Sequence, residues 1–338
     1  MKRWIVLSGV LAGLLAGPAP AEATPPAVRH AQSNPTPPAA GIPSPAPAGG
    51  RMSIRVRGGL PTKRLRYTAP GARLVIEGRS APFVPGQVAV LDIYKRGKLR
   101  ASQRAPIVRA GAGGSARFRL QVRRRGVIRL VLRHAATDRQ SQFRSRSVKV
   151  RTVVWRAGQG ARGRRVLLLQ RGLRKLGFAV PVTGHYDGGT GRAVLAFRKT
   201  NHLGRDGYAT TRVYSLVLRN RGAFRPRFAR AGRHVEFDWS RQVLALVDGA
   251  RARRVYHASS GKASTPTVFG SFRFYRKEPG TNSHGMVQSN YFIGGYAIHG
   301  YPSVPSYPAS HGCIRVPIPN AFDIDRQISL GQRIFVYR

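Results

Sequence analysis

Apolar and polar residues alternate with a period of two through residues 52–154. The alternation is clearest in residues 116–122, 127–132 and 148–151. A period of two places every second side chain on the same face of a β-strand. Glycine and proline separate these segments at residues 70–71, 85–86 and 111–114. Such punctuation is typical of short antiparallel strands, so the pattern predicts an immunoglobulin-like β-sandwich over residues 51–155.

The period then changes to that of a helix. Between residues 164 and 176 the apolar positions follow helical spacing at Val166, Leu167, Leu169, Leu173 and Leu176. Gly177 comes next and is a residue type that ends helices. A second helical stretch passes through residues 192–197. We therefore predict a small helical domain over residues 158–220.

Alternation returns in the last hundred residues. It is clearest in residues 234–238, 242–247 and 333–337. The pattern predicts a β-rich C-terminal domain over residues 231–338. The predicted fold class is therefore a mainly β, multidomain chain with one helical domain between two β domains.

The first residues have the character of a secretory signal peptide. Lys2 and Arg3 are followed by an apolar run, and small residues at cleavage-site spacing end the segment at residue 23. A run of about a dozen apolar residues is shorter than the ~20 that cross a bilayer, so we expect export and no transmembrane anchor after cleavage. Residues 24–50 are rich in proline and alanine and predict an extended linker.

The charge of the chain is strongly positive. There are 59 lysine and arginine residues against 12 aspartate and glutamate residues, which gives a formal net charge of +47. Such a field attracts polyanions of any kind. Because the signal peptide predicts export, we expect anionic cell-wall polymers as partners and no nucleic acid. The predicted location is extracytoplasmic, in association with the cell wall.

Candidate chemistry centres on the only cysteine of the chain, Cys313. A single cysteine excludes an intramolecular disulfide and any zinc site with two cysteine ligands. Cys313 ends the sequence Ser310-His311-Gly312-Cys313, and His299 lies fourteen residues before it. A neighbouring imidazole can take the thiol proton, and the N–H groups of Gly312 and Cys313 could face a developing oxyanion. The arrangement predicts acyl transfer, but spacing alone does not rank the two histidines.

Residues 158–218 resemble the small helical peptidoglycan-binding domain. The matching positions are Val166 to Gln170, Leu173, Leu176 to Phe178, Gly184, Tyr186, Asp187, Thr190, Ala193, Val194, Phe197, Asp206 and Gly207. The chain departs from the family pattern at Arg198, where glutamine is usual, and at Gly189. The resemblance implies a three-helix domain that binds peptidoglycan, or one that only presents the domain after it.

Residues 233–338 resemble the L,D-transpeptidases of the YkuD type. The signature Ser310-His311-Gly312-Cys313-Ile314-Arg315 matches throughout, with His299-Gly300 upstream. Further matches are residues 259–261, residues 265–267, Gly270, Phe292, residues 294–295 and Gly331. In that family the cysteine attacks the peptide bond after the third stem residue and releases D-alanine. It then passes the acyl group to the amine of another stem, which makes a 3-3 cross-link without a cofactor.

The resemblance also implies a role for each matched site residue. Cys313 is the nucleophile, and His299 is the general base, oriented by the carbonyl of Gly300. His311 supports the site and its loop, and Gly312 completes the catalytic set. Arg315 orders the loop or contacts a substrate carboxylate. Ser310, Arg315 and Gly300 are the expected substrate-binding residues, with peptidoglycan stem peptides as the substrate.

Three alternatives remain open from the sequence. A carboxypeptidase would use the same acyl-enzyme but pass the acyl group to water. A non-catalytic protein could use the same domains only to bind the cell wall. His299, His311 and Cys313 also have the ligand types of a zinc site, although we expect no metal.

Overall fold

The computed structural model of the chain describes residues 47–338. The predicted signal peptide, residues 1–23, and residues 24–46 of the predicted linker lie outside the described residues. No helix in the described part is long and apolar enough to cross a membrane.

Residues 51–152 form two sheets that enclose one core. The first sheet contains β1 (Arg51–Arg57), β4 (Ala72–Ala81), β8 (Gly113–Val122) and β7 (Val108–Ala110), in that order. The second contains β2 (Leu60–Pro61), β3 (Arg66–Thr68), β11 (Val148–Thr152), β9 (Gly126–His134), β5 (Val88–Lys95) and β6 (Lys98–Pro106), with β10 (Phe143–Arg144) beside β9. Every second residue of β4 is buried, and Leu74 and Ile76 are fully buried between the sheets. The period of two therefore arises from a β-sandwich whose polar faces meet solvent.

Three helices follow, and they form what we call the helical unit, residues 164–218. They are α1 (Arg164–Lys175), α2 (Gly188–Thr200) and α3 (Thr211–Leu218). The predicted helix over residues 164–176 is confirmed, since α1 ends at the expected place and Gly177 has a φ of +93°. Asp187 caps α2, because its Oδ1 accepts a hydrogen bond of 2.7 Å from the Thr190 N–H.

Arg198 departs from the family pattern but has a defined role in the helical unit. Only 7% of its surface is exposed. Its Nε donates to the Gly204 carbonyl (2.5 Å), its Nη1 to the Tyr208 carbonyl (2.7 Å) and its Nη2 to Asp206 (2.7 Å). The guanidinium thus holds the loop between α2 and α3 with more donors than a glutamine has.

The C-terminal part contains two further sheets and one helix. One sheet has the order β14 (Arg251–His257), β13 (Val243–Asp248), β12 (Arg233–Asp238), β20 (Arg333–Tyr337) and β15 (Gly270–Arg273). The other has the order β16 (Arg276–Thr281), β17 (Val287–Ile293), β18 (Tyr296–Tyr301) and β19 (Ile314–Pro317). Helix α4 (Ile318–Asp325) follows β19 directly. The predicted mainly β, multidomain fold class is therefore confirmed.

Two buried cores position this part of the chain. The first lies between its two sheets and contains Val235, Ile298, Ile314 and Ile334 among others. The second is centred on the helical unit and also takes in Tyr67 from β3 and Val255 from β14. This second core contains residues of the sandwich, of the helical unit and of the C-terminal part. The helical unit therefore packs against both β domains.

Candidate active site

Two parallel strands, β18 and β19, carry His299, Gly300 and Arg315, and the rest of the predicted site lies in the loop that ends at β19. Ile298 pairs with Ile314, and His299 pairs with Arg315. Both isoleucines belong to the core between the sheets. Because successive side chains of a strand point to opposite faces, His299 and Arg315 lie together on the other face. The Cys313 thiol lies beside the start of β18, with Sγ 3.6 Å from the Gly295 carbonyl.

The imidazole of His299 is buried and neutral. Only 3% of the residue is exposed, and its Nδ1 lies 3.0 Å from the Gly300 carbonyl oxygen. A carbonyl only accepts hydrogen bonds, so Nδ1 carries the proton and Nε2 keeps its lone pair. Burial lowers the pKa of His299 to about 4, against an upward effect of the Gly300 carbonyl and with a further downward effect of Arg315. His299 is therefore able to accept a proton through Nε2 at neutral pH.

The thiol of Cys313 is half-buried and protonated at rest. Burial raises its pKa, while contact with the Ala297 backbone and the charge of Arg315 lower it by less. The protonated thiol and the neutral imidazole of His299 both carry no charge at rest. For this sulfur to act as a nucleophile, it would have to lose its proton to a base.

Arg315 is held close to both groups. Its guanidinium carbon lies 4.0 Å above the centre of the Tyr301 ring, a cation–π contact. The His299 ring meets the same tyrosine edge-on, at 5.8 Å between centroids. The Arg315 Nη1 also lies 3.5 Å from the Ala309 carbonyl, just upstream of the signature. These contacts agree with the predicted role of Arg315 in ordering the loop.

Ser310 and Gly312 shape the turn that presents the thiol. Ser310 is 1% exposed, and its hydroxyl donates to the Cys313 carbonyl (2.5 Å) and accepts from the Gly312 N–H (3.1 Å). The Gly312 N–H, which the sequence offered as an oxyanion donor, therefore donates inside the loop in this structure. Ser310 was likewise predicted to bind substrate, but it lies buried behind the turn.

Gly312 is required by the geometry of this turn. Its φ is +123°, which side chains other than glycine rarely adopt, and a Cβ would lie 2.7 Å from the Tyr296 ring. Gly300, also predicted to contact substrate, is buried and offers its carbonyl to His299. Both glycines therefore act on the site through backbone geometry.

Sequence reasoning gave no role to a bracing loop, residues 259–267, that holds the signature from behind. Thr267 Oγ1 donates to the Gly312 carbonyl (2.6 Å) and accepts from the Gly261 N–H (2.8 Å). The Thr265 hydroxyl donates to the Ser310 carbonyl at 3.2 Å. Proline between two threonines was visible in the sequence, but nothing in it shows which backbone these hydroxyls meet.

The bracing loop is itself anchored to the neighbouring sheet. Gln242 donates to the Ser260 hydroxyl (2.8 Å) and accepts from the Ser260 N–H (2.7 Å). The Ser260 carbonyl then accepts from the Ala309 and Ser310 N–H groups. All of these groups are buried or half-buried, so each missing partner would leave a polar group unsatisfied.

Gly261 provides a sharp test of the bracing loop. A Cβ there would lie 2.2 Å from the Thr265 carbonyl oxygen, 2.8 Å from the Thr267 nitrogen and 2.9 Å from the Gly312 Cα. All three are backbone atoms, so no side chain can rotate to relieve the clash. We expect Gly261→Ala to lower the free energy of unfolding by about 2 to 3 kcal/mol in urea titrations followed by circular dichroism.

The matched control for that variant is Gly295→Ala. No atom lies within 4 Å of a Cβ at Gly295, and its φ is not positive. The control should change stability by less than ~0.5 kcal/mol. Equal effects of the two substitutions would show that the close packing around Gly261 does not stabilise the domain.

The two histidines of the signature differ in their surroundings. His311 is exposed and forms no hydrogen bond with any described residue, whereas His299 is buried on the same face as Arg315. The supporting role of His311 stays a prediction. Among residues 47–338 there is no group of three or more histidine, cysteine, aspartate or glutamate side chains that could hold a metal ion.

Comparison with known proteins identifies two domain families in the chain. Residues 232–336 match the L,D-transpeptidase catalytic domain of the YkuD family, and residues 162–216 match the peptidoglycan-binding domain. No curated protein matches the chain significantly.

The chain is also similar to solved structures of L,D-transpeptidases. The chain is 32% identical to an L,D-transpeptidase from Xylanimonas cellulosilytica, with 55% of this chain and 98% of that chain covered and a TM-score of 0.50. An L,D-transpeptidase from Stackebrandtia nassauensis is 18% identical, with 54% and 95% covered and a TM-score of 0.34. Taken with the two domain matches, the first of these shows that the chain belongs to the L,D-transpeptidase family and carries a YkuD catalytic domain preceded by a peptidoglycan-binding domain.

Proposed function

We propose that this protein is an exported L,D-transpeptidase that forms 3-3 cross-links in peptidoglycan through a thioester at Cys313. The observation that carries the proposal is the pairing of β18 with β19. In this pairing a buried, neutral His299 lies opposite Arg315, which follows the half-buried Cys313 by two residues. A nucleophile and a base with a free lone pair are the minimum that acyl transfer needs.

In the first half-reaction the Cys313 sulfur attacks the carbonyl carbon of the third stem residue. His299 Nε2 takes the thiol proton as the carbon–sulfur bond forms. The N–H of Cys313 donates to the negatively charged oxygen, since the Gly312 N–H donates to Ser310. His299 then returns the proton to the departing D-alanine nitrogen, the carbon–nitrogen bond breaks, and a thioester remains.

In the second half-reaction the side-chain amine of another stem attacks the thioester. His299 takes a proton from this amine, and the sulfur leaves and regains a proton as Cys313. The product is an amide between two third-position residues. Water in place of the amine would release a shortened stem, so the balance between cross-linking and hydrolysis depends on which nucleophile reaches the thioester first.

Charge supports retention of the enzyme at its substrate. With a formal charge of +47, the chain is attracted to anionic wall polymers and to stem carboxylates. The peptidoglycan-binding domain adds a specific contact with the same polymer. Because exposed charges are screened by salt, added salt should weaken retention on the wall before it lowers turnover.

The experiment that tests the function is mass spectrometry of products formed from purified tetrapeptide-stem muropeptides by the mature protein. Cross-linked dimers that have lost one D-alanine support the proposal. Loss of D-alanine without dimers would identify a carboxypeptidase. Unchanged substrate together with binding to sacculi would leave only the wall-binding role.

A further inference from the structure

A buried lysine joins the helical unit to the catalytic domain. Lys199 lies on α2 and is 2% exposed. Its Nζ is 2.8 Å from His257 Nδ1 and 2.9 Å from the Ala258 carbonyl oxygen, both at the end of β14. None of these described partners is a carboxylate. Lysine is rarely buried unless it is paired with an acid, so this contact is unusual for a structural residue.

The surroundings of Lys199 favour its neutral amine. Burial, followed by the charge of Arg205, lowers the pKa of Lys199 to about 6. Burial, followed by the repulsion of Lys199, lowers the pKa of His257 to about 3. A neutral amine has two N–H groups, and the structure offers two acceptors, His257 Nδ1 and the Ala258 carbonyl.

His257 links Lys199 by hydrogen bonds to the loop that precedes Cys313. Its Nε2 lies 2.8 Å from the Val304 carbonyl oxygen. Because the carbonyl can only accept, Nε2 carries the proton and Nδ1 accepts from Lys199. Val304 belongs to residues 302–313, which we call the nucleophile segment because it connects β18 to Cys313. One line of hydrogen bonds therefore runs from α2 through His257 to this segment.

A second contact from the helical unit reaches the same segment. Arg205, in the loop after α2, donates through Nη1 to the Ser306 carbonyl (2.7 Å) and through Nη2 to the Ser240 carbonyl (3.0 Å). From the catalytic domain, the Ser259 hydroxyl donates to the Tyr307 carbonyl at 2.6 Å. Three nearby carbonyls of the nucleophile segment are thus held by side chains, and two of these links originate in the helical unit.

We propose that Lys199 and Arg205 are positioning residues through which the peptidoglycan-binding domain holds the nucleophile segment in its reactive conformation. The helical unit is then part of the acyl-transfer machinery as well as a wall-binding module. The effect on turnover rests on the proposed function, whereas the effect on the segment itself does not.

The test compares Lys199→Met in the full chain with Arg212→Gln, which removes a cation from the exposed side of α3 in the same domain. Hydrogen exchange is followed by mass spectrometry in peptides that cover residues 302–313. Two N–H groups of this segment, those of Ala309 and Ser310, donate to the carbonyl of Ser260 in the bracing loop. We expect about tenfold faster exchange there in Lys199→Met and wild-type exchange in the control. Alkylation of Cys313 by iodoacetamide and release of D-alanine are measured on the same samples.

A second variant covers the case in which Lys199→Met does not fold. Arg205 is exposed, so Arg205→Gln removes the Ser306 contact without emptying a buried site. We expect a smaller increase in exchange, about threefold, confined to the nucleophile segment. Wild-type exchange in Arg205→Gln would contradict the proposal independently of Lys199.

The pH dependence of exchange distinguishes this link from simple packing. As the pH falls below about 6, Lys199 takes up a proton in a site that faces the neutral His257 and the charge of Arg205, while Arg192 acts on His257 from the same helix. After correction for intrinsic rates, exchange in the wild-type segment should therefore increase below this pH, and Lys199→Met should lack the step. Exchange that is independent of pH in the wild type would overturn the proposal.

The readouts separate this inference from the proposed function. Faster exchange and altered alkylation in Lys199→Met, in a protein that never releases D-alanine, would retain the positioning link and reject the transpeptidase. Normal exchange in both variants, with active wild-type protein, would retain the transpeptidase and reject the positioning link. Faster exchange together with a lower kcat would support both.

Discussion

Cys313→Ala is expected to abolish both D-alanine release and dimer formation, a loss of at least about 10⁴-fold in rate. The sulfur is the atom that would form the thioester, and no other cysteine exists in the chain to replace it. Alanine is smaller than cysteine, and the hydrogen bond that the thiol donates to the Gly295 carbonyl is a long one of 3.6 Å. The substitution should therefore leave the fold intact. Mass spectrometry of muropeptide products measures the loss.

Retention on isolated sacculi provides the internal control for this variant. The peptidoglycan-binding domain and the positive charge are unchanged in Cys313→Ala, so the variant should pellet with sacculi as the wild type does, at each salt concentration. Cross-linked product from the alanine variant would rule out the thioester mechanism. Loss of both binding and product would instead indicate a damaged fold.

His299→Gln is expected to lower kcat/KM for D-alanine release by about 10³-fold. Glutamine can still donate a hydrogen bond to the Gly300 carbonyl, but it cannot accept the thiol proton at neutral pH.

The pH dependence of kcat/KM gives a second test of His299 as the base. Above pH 4 the wild-type imidazole is neutral and active, so kcat/KM should fall as the pH drops through about 4, the pKa that burial imposes on His299. His299→Gln should lack this step.

Two further histidine variants sharpen the result for His299. His284 is an exposed histidine in the turn between β16 and β17, and His284→Gln should have wild-type kinetics. His311→Gln should lose less than about tenfold, since an exposed ring acts on the site only through the loop. A larger loss for His311→Gln than for His299→Gln would assign the base to the other histidine.

Elements whose signals are local were predictable from the sequence. Helix α1 follows from apolar spacing over three turns and a glycine with a left-handed φ after it. The strands of the sandwich follow from the period of two. The proposed nucleophile also follows from local information, because Cys313 stands within a short, specific signature and two histidines lie within fifteen residues of it. In each case the residues next to one another in the sequence are sufficient for the prediction.

Local sequence spacing did not show which of the two histidines, His299 or His311, is placed to act as the base. Both lie within fifteen residues of Cys313 in the sequence, and both can accept a proton. What separates them is burial and the register of β18 against β19, which pairs His299 with Arg315 and leaves His311 exposed. Register depends on how the whole sheet packs on its core, so spacing in the sequence could not supply it.

The amino-acid sequence thus predicted the first two helices of the helical unit, the strands, the candidate nucleophile and the two histidines that are candidates for the base. Folding decided which histidine is buried and neutral, and which groups hold the nucleophile in place. Thr267 meets Gly312 and Lys199 meets His257 across 45 and 58 residues of chain, respectively. Contacts of this kind exist only when sheets and helices pack. Hydrogen bonds are short-ranged and directional, so sequence proximity carries no information about them.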